Sequence, residues 1–182
     1  MKAATMGAAL FASLAVAGCT ASGPAGEAAR RAEVTQAAVP QAIDCNRLGA
    51  AVELQSEIAV GASRAAAPLG PLLKVKLHEL RAVSPLVVPG RKEKSADRFA
   101  GLVPFRVAAS GTYTVLVASL AWADLAEAKP PRLVAPQSFK WLTVCGQRFK
   151  SGLYALESGR EYVVQFWDSP DREIAVMIRR LP

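Results

Sequence analysis

The heptapeptide LLKVKLH, residues 72–78, alternates, with Leu73, Val75 and Leu77 on one side and Lys74, Lys76 and His78 on the other. A period of two suits a strand with one buried face and does not suit the 3.6-residue period of a helix. The pattern returns along the chain. In VPFRVAASGTYTVLVAS, Val103, Phe105 and Val107 form one apolar stripe, and Tyr113, Val115 and Val117 form the next. Ala109-Ser110-Gly111 between them reads as a hairpin turn. GLYALESGREYVVQFW repeats the design, with Ser158-Gly159 before Tyr162, Val164 and Phe166, while Val163, Gln165 and Trp167 take the opposite face. DSPDRE turns the chain at Pro170-Asp171, and IAVMIRR closes it with Ile174, Val176 and Ile178 on one side. Many short strands between turn signals predict an all-β fold, an antiparallel β-sandwich of jelly-roll-like character. The segment AKPPRLVAPQ, residues 128–137, reads as a loop, because three prolines remove ladder donors. Trp141 falls in a loop-rich region after it.

The first residues give an address. Lys2 precedes an apolar run from Ala3 to Ala17, followed by Gly18 and Cys19. A charged start, a short apolar core and a small-residue cleavage site make a secretory signal. The run falls short of the roughly 20 apolar residues that span a bilayer. Val16-Ala17-Gly18-Cys19 looks like a bacterial lipobox, in which the cysteine thiol takes a diacylglycerol and becomes the new N-terminus. The alternative is a secreted protein cut at a nearby A-x-A-like site. The expected layout is a lipoprotein signal peptide over 1–18, a flexible tether over 19–44 and a β-sandwich domain over 45–182. The tether is rich in Ala, Gly, Gln and Pro and poor in large apolar residues. As a coil it would average about 25–30 Å end to end, and Ala28 to Ala38 has the alanine content of a short helix.

Three cysteines in an exported chain leave one unpaired. With Cys19 lipidated, Cys45 and Cys145 remain, and an oxidising compartment favours a disulfide between them. Closing a loop of about 100 residues is worth roughly 4–5 kcal/mol in the chain-entropy model. Two separate buried thiols are the alternative.

The net charge is +7, scattered along the chain. Its densest run, RKEKSADR at 91–98, contains two acids and no aromatics, so it lacks the interleaving of a nucleic-acid surface. Nucleic acid is not expected as a partner. A membrane, reached through the N-terminal lipid, is.

FRVAASGTYTVLVASLAWADL, then a cysteine, then LYALESGREYVVQF is similar to small exported bacterial β-sandwich domains that resemble pre-peptidase C-terminal domains. The shared pattern falls on Phe105, Val107, Gly111, Thr112, Tyr113, Val115, Ala121, Trp122, Asp124, Cys145, Gly159, Arg160, Tyr162 and Gln165. It spans roughly residues 72–182 and implies the sandwich fold. Glu161 is an extra residue in the pattern and reads as a bulge. Gly146-Gln147-Arg148-Phe149-Lys150 replaces the group's usual I-R-K, and the histidines of the preceding loop are absent. A homogentisate dioxygenase label attaches to some members. A non-haem iron site of that kind needs two histidines and a carboxylate, and this chain has one histidine, His78, placed on an exposed strand face.

Other chemistry is equally absent. There is no C-x-x-C pair, no G-x-S-x-G elbow, no S-x-x-K and no phosphate loop. Asp124 and Glu127 are close in sequence, and Asp168, Asp171 and Glu173 cluster at a turn, where acids are mostly solvated or cap the backbone. No catalytic residue, metal site or cofactor is expected. Trp122, Asp124 and Trp141 are the candidate ligand-binding residues, because exposed indoles stack on sugar rings and a neighbouring carboxylate accepts hydrogen bonds; tryptophans that fill the core or cover its edge are the alternative. The expected role is that of a lipid-anchored protein of the bacterial cell envelope, facing the periplasm and binding or scaffolding without catalysis, with envelope proteins or glycans as partners. A glycan-binding module that uses exposed tryptophan is the main alternative. An enzyme with a site scattered beyond recognition in sequence is a weaker one.

Overall fold

The computed structural model describes residues 51–61, 66–92, 95 and 97–182. The signal peptide, the tether, Cys19 and Cys45 lie outside them, and so do the expected boundaries at 18 and 44. The described chain forms eleven strands: β1 (Val52–Gln55), β2 (Leu72–Lys76), β3 (His78–Glu79), β4 (Phe99–Arg106), β5 (Gly111–Ala118), β6 (Trp122–Ala128), β7 (Pro131–Leu133), β8 (Ser138–Val144), β9 (Gln147–Leu156), β10 (Glu161–Ser169) and β11 (Glu173–Arg180). One sheet has the order β1-β2-β11-β5-β9-β8 and the other β3-β4-β10-β6-β7. They pack face to face as an all-β sandwich. Every pairing is antiparallel except that of β1 with β2, which is parallel.

The alternating stripes are buried between the sheets. Leu73, Val75, Val103, Phe105, Val115, Val117, Val164, Phe166, Ile174, Val176 and Ile178 all belong to one core cluster. Phe105 and Tyr162, paired in register, stack at 5.8 Å between ring centroids. The reverse face of β10 is buried too. Val163 and Trp167 join Leu80, Val83, Ala100 and Leu102 in a second cluster. Gln165 on that face is fully buried, and its Oε1 accepts from the Leu86 N–H at 2.8 Å while its Nε2 donates to the Val87 carbonyl at 3.0 Å. The segment from Leu80 to Val87 thus covers a face that alternation alone leaves to solvent.

Neither Ser-Gly turn makes a hairpin. β4 pairs with β3 and β10, and β5 pairs with β9 and β11, so the chain crosses between the sheets at Ala109-Ser110-Gly111. It crosses back at Ser158-Gly159, from β9 to β10. A hairpin would set both apolar stripes side by side on one face, whereas the arch sets them opposite each other across the core. The two arches lie together. The Ser158 N–H donates to Ser110 Oγ at 2.9 Å and the Gly159 N–H to the Val107 carbonyl at 3.3 Å. Tyr113 fills the first arch and its hydroxyl donates to the Ala109 carbonyl at 2.7 Å, a tyrosine corner. Tyr162 fills the second, and its hydroxyl accepts the Glu157 N–H at 2.9 Å.

Three local expectations are corrected. The proline-rich segment contains β7, which pairs with Ala126–Ala128 of β6. β7 is an edge strand, where a proline's missing N–H costs no ladder bond. Glu161 sits in regular register opposite Arg106, and the irregularity of β10 falls later, between Phe166 and Ser169. His78 is half-buried: its Nε2 lies 2.8 Å from the Ser56 carbonyl oxygen and 3.1 Å from Gln55 Nε2. The chain changes sheets at Leu77, so the face of β2 does not predict that of β3.

Candidate functional site

β7 is three residues long and reaches only the last part of β6. From Trp122 to Asp124 the outer edge of β6 has no strand neighbour among the described residues. Opposite it, β8 and β9 form a full-length hairpin, so Trp141 lies on a strand and not in a loop. The hairpin closes with a two-residue turn, Cys145-Gly146, at φ 52° and 76°. Positive φ at both positions matches the twist of the flanking strands and suits glycine. The mismatch between a short edge and a long one leaves a cleft of about 1010 Å³ between the sheets.

Val115, Val117, Leu125 and Val164 form its apolar inner wall. Leu120, Trp122, Leu133, Phe139 and Trp141 surround it, and all five remain exposed. The other exposed large hydrophobic side chains among the described residues, Val52, Ile58 and Val88, lie elsewhere. Isolated exposed hydrophobics need no explanation, but a cluster around one concavity marks a binding surface. The strand register explains the cluster. Phe139 and Trp141 are two apart on β8 and pair with Gly152 and Lys150 of β9, opposite Val115 and Val117 of β5. All of these therefore share the inner face, at a place where the opposite sheet has ended. Gly152 supplies the space. A Cβ there would lie 2.6 Å from the Tyr154 ring. Without one, the ring lies flat across the strand. Burial, aided by Asp124, pushes the Tyr154 hydroxyl up to about 12.

The sequence named Trp122, Asp124 and Trp141, and all three line this cleft. Trp122 is 37% exposed and Trp141 44%, against 6% for Trp167, which is core. The Trp122 Nε1–H donates to Asp124 Oδ1 at 2.8 Å, and Asp124 Oδ2 accepts the Gly90 N–H at 3.2 Å. The Trp122 indole also packs on the Gly90 backbone. Trp141 has the Arg148 guanidinium 4.8 Å and Lys150 Nζ 5.6 Å from its ring centroid.

Apart from Asp124, the charged residues of the cleft were not assigned to a site from the sequence. Asp168, at φ 51° just after the buried Trp167, has Arg91 at 3.6 Å and Arg98 at 3.7 Å. Lys150 is half-buried and donates to the Ala121 carbonyl. Burial, and then the like charge of Arg91, holds the Lys150 amine below its ordinary range. One sequence signal pointed here: Phe139-x-Trp141 has the spacing that puts two aromatics on one strand face. The role of Lys150 needed the register. Among the described residues no cluster of three or more His, Cys, Asp or Glu side chains is placed to hold a metal ion. Cys145 is exposed in the β8–β9 turn and is a partnered residue. Compared with known protein families and with curated proteins, the chain matches none.

Proposed function

We propose that this is a lipid-anchored binding protein of the bacterial cell envelope, whose sandwich domain holds a small, largely apolar molecule in the cleft between β6 and the β8–β9 hairpin and catalyses no reaction. The observation that carries this reading is the gathering of Leu120, Trp122, Leu133, Phe139 and Trp141, all exposed, around one apolar concavity. The lipobox Val16-Ala17-Gly18-Cys19 supports the anchor and the periplasmic address. Oxidising surroundings support a Cys45–Cys145 disulfide, tying the start of the domain to the hairpin that forms the cleft. The sandwich architecture is also in keeping with the pre-peptidase C-terminal-like resemblance.

Titration with the neutral, environment-sensitive dye Nile red tests the cleft. The expected result is saturable binding at one site per chain with blue-shifted emission, weakened at least tenfold by Trp141→Ala together with Phe139→Ser. Absence of saturable binding, or indifference to both substitutions, rejects it. The glycan reading retains one supporting observation, the exposure of two indoles. Each ring is already engaged, Trp122 by Asp124 and Gly90 and Trp141 by Arg148 and Lys150, so neither is a bare stacking platform. Quenching of tryptophan emission by oligosaccharides, with no dye binding, would reverse the order of the two readings.

A further inference from the structure

The cleft has a second property beyond its apolar wall. Each carboxylate around it is engaged: Asp124 by the indole N–H and the Gly90 N–H, Asp168 by two arginines. Lys150 is different. It points into the cleft between Val117 and Trp141, and among the described residues no carboxylate pairs with it. Its ammonium donates to a backbone carbonyl, which neutralises nothing. A half-buried cation near a second cation, lining a largely apolar cavity, lacks a counter-charge. An anionic group arriving there would supply it.

Resting on the cleft reading above, we infer that the ligand is an amphiphile, a fatty acyl carboxylate, whose tail lies along Val115, Val117, Leu125 and Val164 and whose carboxylate is received by Lys150 with Arg91 beside it. The apolar wall between the sheets suits a chain of methylenes, and Lys150 is the cleft cation with no carboxylate partner among the described residues. Two aromatics, Trp122 and Trp141, line the same cleft. The depressed Lys150 pKa agrees with this placement, because burial and Arg91 disfavour its charge until an anion is present. The other charged or titratable groups around the cleft are Arg91, Arg98, Asp124, Asp168, Tyr154 and, over Trp141, Arg148. Burial, with Asp124 nearby, pushes the Tyr154 hydroxyl up to about 12.

The test uses the full mature chain from residue 19, carrying Cys19→Ser so that no lipid of its own competes. Four ligands with one twelve-carbon tail are titrated below their micelle concentrations: dodecanoate, dodecanol, dodecyltrimethylammonium and dodecyl phosphate. Dodecanoate should bind at least tenfold tighter than dodecanol, and the cation weakest. Each added CH₂ in a carboxylate series should tighten binding about fourfold until the cleft is filled. Lys150→Met keeps the apolar stem and should weaken dodecanoate tenfold or more while leaving dodecanol unchanged. The wild-type preference for carboxylate should fade as pH rises through the depressed Lys150 pKa, a readout that needs no variant. Equal binding of dodecanoate and dodecanol, or an unaltered order in Lys150→Met, overturns the headgroup inference and leaves the apolar cleft standing. A tenfold preference for dodecyl phosphate replaces the carboxylate with a lipid phosphate and overturns that commitment. Failure of all four tails to bind rejects the cleft reading itself.

Discussion

Strands β5, β9 and β10 each have one end among the arches and the other beside the cleft, and the two ends solve the burial problem differently. At the arch end, Tyr113 and Tyr162 are buried with their hydroxyls satisfied. Glu127, buried on the neighbouring β6, is met by Arg160 and Arg132. Those two hydrogen bonds hold its carboxyl below the ordinary carboxylate range despite burial. At the cleft end the aromatics stay exposed, and Lys150 is shifted in the direction that disfavours its charge. One end is complete by itself. The other leaves apolar surface and a cation for something else to cover. Stability and the proposed recognition are thus separated along the same three strands.

The sharpest way to break this contrast is to truncate an aromatic at each end. Tyr113→Ala should cost about 3–5 kcal/mol, combining cavity formation with an orphaned Ala109 carbonyl. Tyr113→Phe isolates the hydroxyl and should cost about 1 kcal/mol. Trp141→Ala removes a larger side chain yet should cost about 1 kcal/mol or less, since the ring is half in solvent and its cation contacts are modest. Urea melts of the three variants decide the matter. If Trp141→Ala proves as damaging as Tyr113→Ala, the cleft is core and the division is wrong.

The apolar stripes behind that contrast were legible in the order of residues, because alternation fixes which side chains share a face. Leu73, Val75, Leu77, Tyr113 and Ile178 are buried where the pattern put them. Partnership was not legible. A short turn between two stripes suits a hairpin and an arch equally, and only β9, β10 and β11, far along the chain, decide between them. β7 was hidden for a related reason, since Pro131 is excluded from a strand only where its N–H would be needed. At the site, Trp122, Asp124 and Trp141 stood out by residue type. Lys150 looks like any surface lysine until the register places it against Val117 and Trp141.

Two pH effects of opposite sense sharpen the comparison. Glu127 has a folded pKa below its unfolded one, so its contribution is present above the unfolded value near 4.5 and is lost as pH falls through the folded value. Stability measured between pH 5 and pH 2 should fall less steeply for Glu127→Gln than for the parent. Lys150 also has a lowered folded pKa, but it is a base. The unfolded chain then binds the extra proton between the depressed value and 10.5, and stability from this group rises with pH across that window. Lys150→Met should remove that rise and leave neutral-pH stability unchanged or slightly higher. A large loss of stability in Lys150→Met would show that the cation is structural. The smallest effects belong to the solvent face of β2. Lys74→Ala and Lys76→Ala should each change stability by about 0.5 kcal/mol or less, because their ion pairs with Glu53 and Glu173 are exposed.

The arches also set a timetable. β4 must find β10, as when Arg106 meets Glu161, across a sequence separation of 55. The β8–β9 hairpin needs only its two-residue turn. Contacts between distant residues pay their loop-closure entropy before any burial rewards it, so they govern the rate at which such a chain folds. Substitutions in the arches, Tyr113→Phe among them, should slow refolding, and substitutions at Phe139 or Trp141 should act mainly on unfolding. Stopped-flow refolding that gave the reverse would place the nucleus in the hairpin. With the nucleus in the arches, the side chains of the proposed binding cleft lie outside the rate-limiting step, free to change from one descendant sequence to the next without delaying the fold that carries them.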